Sequence, residues 1–297
     1  MDDRPVIIEN LRHSYGDHVV YRDLSLNFEP GRIYGLLGKN GVGKTTLIKI
    51  LMGFLRPGSG KCTVFGDPAH DIRPGTRARV GLLFERHLAY DFFSIEQIER
   101  FYARFYPNWR RDVYYEMVGR LKLPYTHVIS KMSEGQRSQV VLGLLLAQDP
   151  ELLILDDYSM GLDAGYRRLF VDYLSEFFKD GRHTIILTSH VIQDMESFVD
   201  ELVFLERGGN SLRTSMQDFT SRFRLYRLPR PEARADSPHA GENIKNVEDH
   251  PGHWDIFSFA EEDRVVDELD RQGFAADGLR REPMSLEDAF IGYTGRY

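Results

Sequence analysis

Three runs of this chain carry side chains suited to acting on a phosphoanhydride. The first is GKNGVGKTT, in which Gly38, Gly43, Lys44 and Thr45 fit the pattern G-x-x-x-x-G-K-[ST]. Glycines there let the backbone curve tightly, so the N–H groups around Asn40, Gly41 and Gly43, and the N-terminus of a following helix, can surround phosphate oxygens. Lys44 is expected to reach the β- and γ-phosphates and the Thr45 hydroxyl to ligate Mg²⁺, with Thr46 beside it in the nucleotide site. The second run is LLILDD, Leu152 to Asp157. An apolar run that ends in a carboxylate has the form of a buried parallel strand, and such strands deliver side chains to ligands at their carboxyl ends. Asp156 is therefore expected to orient the Mg²⁺ shell. The third run, TIILTSH, places His190 just beyond a β-branched strand predicted over Thr184 to Thr188.

These groups need rigid elements to hold them. Arg32 to Leu37 (RIYGLL) reads as a strand entering the glycine-rich loop, and Thr45 to Leu55 as an apolar helix leaving it. LRHSYGDHVVYRDLSL gives two alternating stretches around a Gly-Asp turn, the pattern of an antiparallel hairpin. From Ser94 the period changes to that of a helix. Ser94 with Gln97 three residues later forms a capping box, and Ile95, Ile98, Phe101, Tyr102 and Phe105 make one apolar stripe. A second helix is expected from about Arg111.

Between the first two runs lies KMSEGQRSQ, Lys131 to Gln139. Ser133, Glu134, Gly135 and Gln136, placed between a phosphate loop and an acidic strand, resemble the signature of the ATP-binding cassette (ABC) family. The resemblance implies an α/β fold: a P-loop ABC ATPase core with an antiparallel β subdomain and a helical subdomain. The nucleotide-binding domain would span 1–210, with the helical part at about 88–148. It also implies that ATP and Mg²⁺ held by one subunit's phosphate loop are closed over by the signature of a second ABC subunit, identical or a paralogue. By the same resemblance Tyr15 stands where an aromatic stacks on adenine, and His190 where a switch histidine contacts the γ-phosphate. Gly161, Leu162 and Asp163 correspond to the loop that meets its counterpart across the dimer. Glu85 replaces the family's usual glutamine near Mg²⁺, so the metal set would be Thr45, Glu85 and Asp156, and the catalytic set Asp157, His190 and Glu85. Asp157 takes the place of the glutamate that polarises the attacking water. Its side chain is shorter by one C–C bond, about 1.5 Å. A misplacement of about 1 Å can cost on the order of 100-fold in rate, so hydrolysis is expected to be slow unless the backbone compensates.

With 297 residues the chain is long enough for two domains. A net charge of −7 supplies no basic stripe for nucleic acid. MDDRPVIIE lacks the regions of a signal peptide, and the longest apolar stretch, Val140 to Ala147, is too short to span a bilayer. A membrane role would need a separate transmembrane permease subunit, with this chain peripheral on the cytoplasmic face. Cys62, the single cysteine, is expected to be buried in a strand and fits a reducing compartment. Tyr90, Phe92 and Phe93 have two readings: aromatics packed in a helical subdomain, or a groove for a short cytoplasmic helix of the membrane partner.

Beyond Glu206 the pattern describes a small α+β domain, 211–297, with an accessory or dimerisation role. Leu228 to Asn243 reads as a mobile loop between strands at Phe223 and Trp254, followed by a helix over Glu261 to Gln272. In the tail, Ser285, Leu286, Glu287, Asp288, Phe290, Thr294 and Gly295 resemble the terminal helix of cassettes paired with ABC-2-type exporters, which implies an exporter ATPase. Other readings remain open: a nucleotide-gated interaction cassette with little or no hydrolysis, an importer ATPase, or a cassette acting on DNA or ribosomes.

Overall fold

The computed structural model describes residues 3–84, 90–159, 162–179, 181–231 and 236–295. The chain forms two compact units, one up to Arg213 and one from Thr214. The first contains, in order, β1 (Val6–Tyr15), β2 (His18–Phe28), β3 (Ile33–Leu37), α1 (Lys44–Leu51), β4 (Ser59–Val64), β5 (Asp67–Pro68), α2 (Pro74–Arg77), β6 (Val80–Leu83), α3 (Ile95–Tyr102) and α4 (Arg111–Gly119). It continues through α5 (Glu134–Ala147), β7 (Leu152–Leu155), α6 (Ala164–Phe177), β8 (Thr184–Leu187) and β9 (Glu201–Leu205) to β10 (Ser211–Ser215), where the chain passes to the second unit.

The central sheet runs β10-β9-β3-β8-β7-β6, and the pairs from β9 to β6 are parallel. Every residue of β7, β8 and β9 is buried, which explains why, after Thr184 at the start of β8 and Glu201 at the start of β9, these strands are continuous apolar runs rather than alternating. A second sheet, β2-β1-β4-β5, is antiparallel. In its long β1–β2 pair the register shifts at several points, irregularities that increase the local twist of the strands. Cys62 is buried in β4. Helix α1 ends at Leu51 rather than Leu55, because Gly53 adopts φ 73° and breaks the helical path despite the apolar residues beyond it.

A separate cluster built on Ile95, Ile98, Tyr114, Val118 and Val140 holds α3, α4 and α5 together. Ser94 caps α3 with both halves of the capping box formed. Phe105 does not join the buried stripe: it lies past the end of α3 and is 63% exposed. Tyr90 and Phe92 are also exposed, packing with Phe93 and Phe101 in a surface aromatic group.

The second unit contains α7 (Met216–Arg222), β11 (Arg224–Pro229), β12 (Asn246–His250), β13 (His253–Ser258), α8 (Glu262–Arg271), β14 (Arg280–Glu282) and α9 (Leu286–Thr294). Its sheet runs β12-β13-β11-β14 and all pairs are antiparallel. One face packs Tyr226, Leu228, Trp254 and Ile256 against Val265 and Leu269 of α8. On β13 the alternate position Phe257 stacks with Phe223 and fills the space beside Gly292 of α9. The segment expected to be a mobile loop is tied down where it is described. Ser237 donates to Asp249 over 2.6 Å, and His239 exchanges two 3.0 Å hydrogen bonds with the Gln272 amide. Among the described residues no helix is long and apolar enough to cross a membrane.

Candidate functional site

The carboxyl ends of β3, β7 and β8 are neighbours because those strands are adjacent and parallel, so whatever follows each of them converges. After β3 comes the glycine-rich loop. Gly38, Gly41 and Gly43 have φ of 152°, 78° and 117°. A Cβ on Gly38 would lie 2.7 Å from the Leu205 carbonyl oxygen, and one on Gly43 would meet the Tyr21 ring and Val20. Both positions therefore need glycine for space as well as conformation. Tyr21, from the antiparallel sheet, donates its hydroxyl to the Gly43 carbonyl at 2.5 Å. Burial pushes that phenol well above its ordinary pKa, so it remains a donor.

Lys44 folds over the loop, its Nζ donating to the carbonyls of Gly38 (2.6 Å) and Lys39 (3.2 Å). Burial pulls its pKa below the ordinary lysine value, opposed by the Asp156 and Asp157 carboxylates. A γ-phosphate would supply the counter-charge that those two carbonyls supply only as dipoles.

Beyond β7, Asp156 is buried and Asp157 has φ 51°, a left-handed conformation that aspartate tolerates better than most residues. Thr188, just after β8, ties the pair together. Its Oγ1 donates to Asp156 Oδ1 (2.9 Å) and accepts from the Asp157 N–H (2.7 Å). Ser159 donates to Asp157 Oδ1 at 3.3 Å, and Ser189 donates to Ser159 at 2.8 Å. The buried Oδ2 of Asp157 has no hydrogen bond, yet lies 3.2 Å from Nε2 of the largely exposed His190. Asp157 thus has Oδ1 fixed by Ser159 and Oδ2 beside the His190 imidazole, and a carboxylate so held has an oxygen free of hydrogen bonds that can take up a proton.

Gly43, Lys44, Asp156, Asp157, Thr188, Ser189 and His190 line one cavity of about 500 Å³, together with Tyr15, Asn40, Gly41, Thr45 and Thr46. Tyr15 stands at its rim, 49% exposed, with its hydroxyl 3.5 Å from Thr46 Oγ1. An open aromatic face at that rim is available for a planar base to stack on. The oxygen donors gathered here, the Asp156 carboxylate and the Thr45 hydroxyl, form the hard set that suits Mg²⁺. Glu85 and Gly161 lie outside the described residues.

The signature residues lie elsewhere. Ser133 caps α5, its Oγ accepting from the Gln136 N–H while the Gln136 side chain accepts from the Ser133 N–H. Ser133 does not line the phosphate-loop cavity; Glu134 lines a second cavity of about 390 Å³, on which Asp156 and Asp157 also border. Gly135 is pressed against Tyr166 of α6, whose ring occupies the space a methyl group would need. Leu162 is buried, and Asp163 caps α6 by accepting from the Tyr166 N–H at 2.9 Å. In the phosphate-loop cavity one chain thus brings together Tyr15, the phosphate loop, Asp156, Asp157 and His190, while the Ser133 region meets Asp156 and Asp157 only through Glu134 in the second cavity.

Sequence reasoning missed Tyr21, Ser159, Thr188 and Ser189. Thr188 and Ser189 sit in TIILTSH directly before His190, where a hydroxyl after a buried strand is a usable signal. Tyr21 gave none, since its partner carbonyl is fixed only by the packing of two sheets.

The ABC transporter family model matches residues 21–159. A Nod factor export ATP-binding protein I from Cupriavidus metallidurans is 33% identical over 207 residues, 68% of each chain. The protein of the same description from Bradyrhizobium diazoefficiens is 28% identical and aligns with 100% of this chain and 98% of its own. Among solved structures, an ATP-binding subunit of an ABC transporter superposes with a TM-score of 0.64 at 22% identity, covering 73% of this chain and 92% of that one.

Proposed function

The chain belongs to the ABC transporter family as an ATP-binding, ATP-hydrolysing subunit of exporter type, and from this premise we propose that it works as one half of a two-cassette sandwich. Each ATP is held by the phosphate loop of one cassette, with Mg²⁺ bound by Thr45, Asp156 and Glu85, and is covered by Ser133 to Gln136 of the other. The second cassette is a copy of this chain or a paralogue. The observation that supports this best is the division of the site: Lys44, Thr45, Asp156, Asp157 and His190 line the cavity at the strand ends, and Ser133 is not among its lining residues.

Mg²⁺ supplies charge neutralisation of the phosphate oxygens when bound. The chain's own groups do the rest. Lys44 leaves its two carbonyls for the β- and γ-phosphates, the loop N–H groups cradle them, and Tyr15 stacks on the base. Asp157 accepts the proton of the attacking water through Oδ2, and His190, beside that oxygen, orients the γ-phosphate. Loss of that phosphate removes the contacts shared by both cassettes, and the sandwich opens.

The relatives are named for Nod factor export, from which we carry over an outward direction of transport driven through a separate transmembrane permease. The exposed aromatics Tyr90 and Phe92 are the proposed seat of a permease helix. The second unit, 211–297 by sequence, is proposed to steady the dimer or its assembly with that partner. Asp157→Asn tests the sandwich: with ATP and Mg²⁺ it should give a stable dimer by light scattering, and adding Ser133→Ala should weaken it. A protein that binds ATP and stays monomeric throughout, even with its permease present, would overturn the mechanism.

A further inference from the structure

The hairpin β12–β13 carries a group of side chains with no part in nucleotide chemistry. Its turn is His250-Pro251-Gly252-His253, with Gly252 at φ 88°. The two histidines therefore face each other across the last pair of the ladder, and Glu248 faces Asp255 across a pair two residues further in. Side chains two apart on a strand point to the same face. All four groups thus stand together, drawn from eight consecutive residues.

The distances among them are those of a ligand set. His250 Nε2 lies 3.5 Å from Asp255 Oδ2 and 3.7 Å from Glu248 Oε2, and His253 Nε2 lies 3.6 Å from Asp255 Oδ1. The donor atoms of His250, His253 and Asp255 all fall within 4.8 Å of one another. Ligands held tetrahedrally at about 2.0–2.1 Å from Zn²⁺ stand roughly 3.4 Å apart, so these three close on an ion by contracting, and Glu248, which lies outside the three but 3.7 Å from His250, can swing in as the fourth.

We propose that Glu248, His250, His253 and Asp255 form a binding site for a divalent transition-metal ion of the Zn²⁺ class. Charge favours it. Glu248 and Asp255 are both more than nine-tenths buried, and like charges directly opposite each other on a sheet destabilise it. The Arg227 guanidinium forks onto both oxygens of Asp255, at 2.8 and 2.9 Å. An ionised carboxylate offers about four lone-pair sites, so the fork leaves room for an ion on the histidine side. Two imidazoles with two carboxylates select an ion of borderline softness over Mg²⁺, which prefers oxygen alone. The imidazoles now lie face to face, 4.8 Å apart and 10° from parallel. Sharing an ion requires them to tilt together, and side chains about one quarter exposed have space to do so.

The test is calorimetric titration of the full chain with ZnCl₂, after chelator treatment and with the nucleotide site saturated by Mg²⁺ and ATP. One ion per chain is expected to bind. His250→Gln with His253→Gln should weaken it by on the order of 100-fold or more, since losing groups that merely support a ligand already costs 10–100-fold. Equal binding by the double variant, or no Zn²⁺ uptake by the unaltered chain, overturns the site. A second measurement needs no variant: Zn²⁺ should protect His250 and His253 from diethyl pyrocarbonate, read by peptide mass spectrometry. If both remain as reactive with Zn²⁺ as without it, the proposal fails.

Discussion

Replacing Asp157 by glutamate lengthens the side chain by one methylene, and by reach alone it should speed hydrolysis. The geometry argues the opposite. Asp157 takes φ 51°, which turns its carboxylate into the cavity until Oδ2 is 3.2 Å from His190 Nε2. Glutamate would add about 1.5 Å of reach, leaving roughly 1.7 Å along that line if neither group moved, well inside contact distance. Either His190 or the new carboxylate must swing aside by about 1 Å, and a displacement of that size can cost on the order of 100-fold. The left-handed backbone also suits glutamate less well than aspartate. The expected result is therefore a kcat lowered by roughly 10- to 100-fold, about 1.4–2.7 kcal/mol of barrier, with ATP affinity unchanged within about twofold. Single-turnover hydrolysis with Mg²⁺, beside an equilibrium ATP titration of both proteins, measures it. A faster glutamate variant with unaltered binding would refute the reasoning and show that the short side chain handicaps the enzyme.

Other outcomes follow from single contacts. Thr188→Val removes the hydroxyl shared by Asp156 and the Asp157 N–H; it should cost about 1–3 kcal/mol in chemical denaturation and lower kcat far more than ATP affinity. Gly135→Ala drives a methyl into the Tyr166 ring, an overpacking worth about 1–3 kcal/mol, and Tyr166→Ala in the same chain should recover part of the lost melting temperature. Ending the chain after Ser215 keeps β10 and every residue of the nucleotide cavity, so equilibrium titration should show ATP binding retained while dimer formation or permease assembly changes.

Much of the architecture was legible because burial leaves plain marks on sequence. The strand β7 is a continuous apolar run, and β8 is one after Thr184, since water reaches neither face, and Ser94 with Gln97 announced the start of α3. Errors arose where one backbone angle or a helix end outweighed composition. Gly53 stopped α1 while apolar residues continued, and Phe105 kept the helical spacing beyond the last helical residue. Leu228 to Asn243 looked unstructured because its anchors, Asp249 and Gln272, come later in the chain. The same limit hid Tyr21: a hydroxyl whose acceptor depends on how two sheets meet has no local signature.

Tyr166 carries a consequence for timing. Its ring fills the hollow over Gly135 at the head of α5, and its N–H is the one that Asp163 caps. In the sandwich proposed above, Asp163 would lie in the loop at the seam, and Gly135 would face the nucleotide held by the partner. A shift at the seam would turn α6, and the ring, having no slack, would lean on α5. The two ATP sites would then keep step like gears sharing a tooth, each turnover felt by the opposite site before its product has left. Loosening that tooth should leave both sites competent and let them fire out of phase.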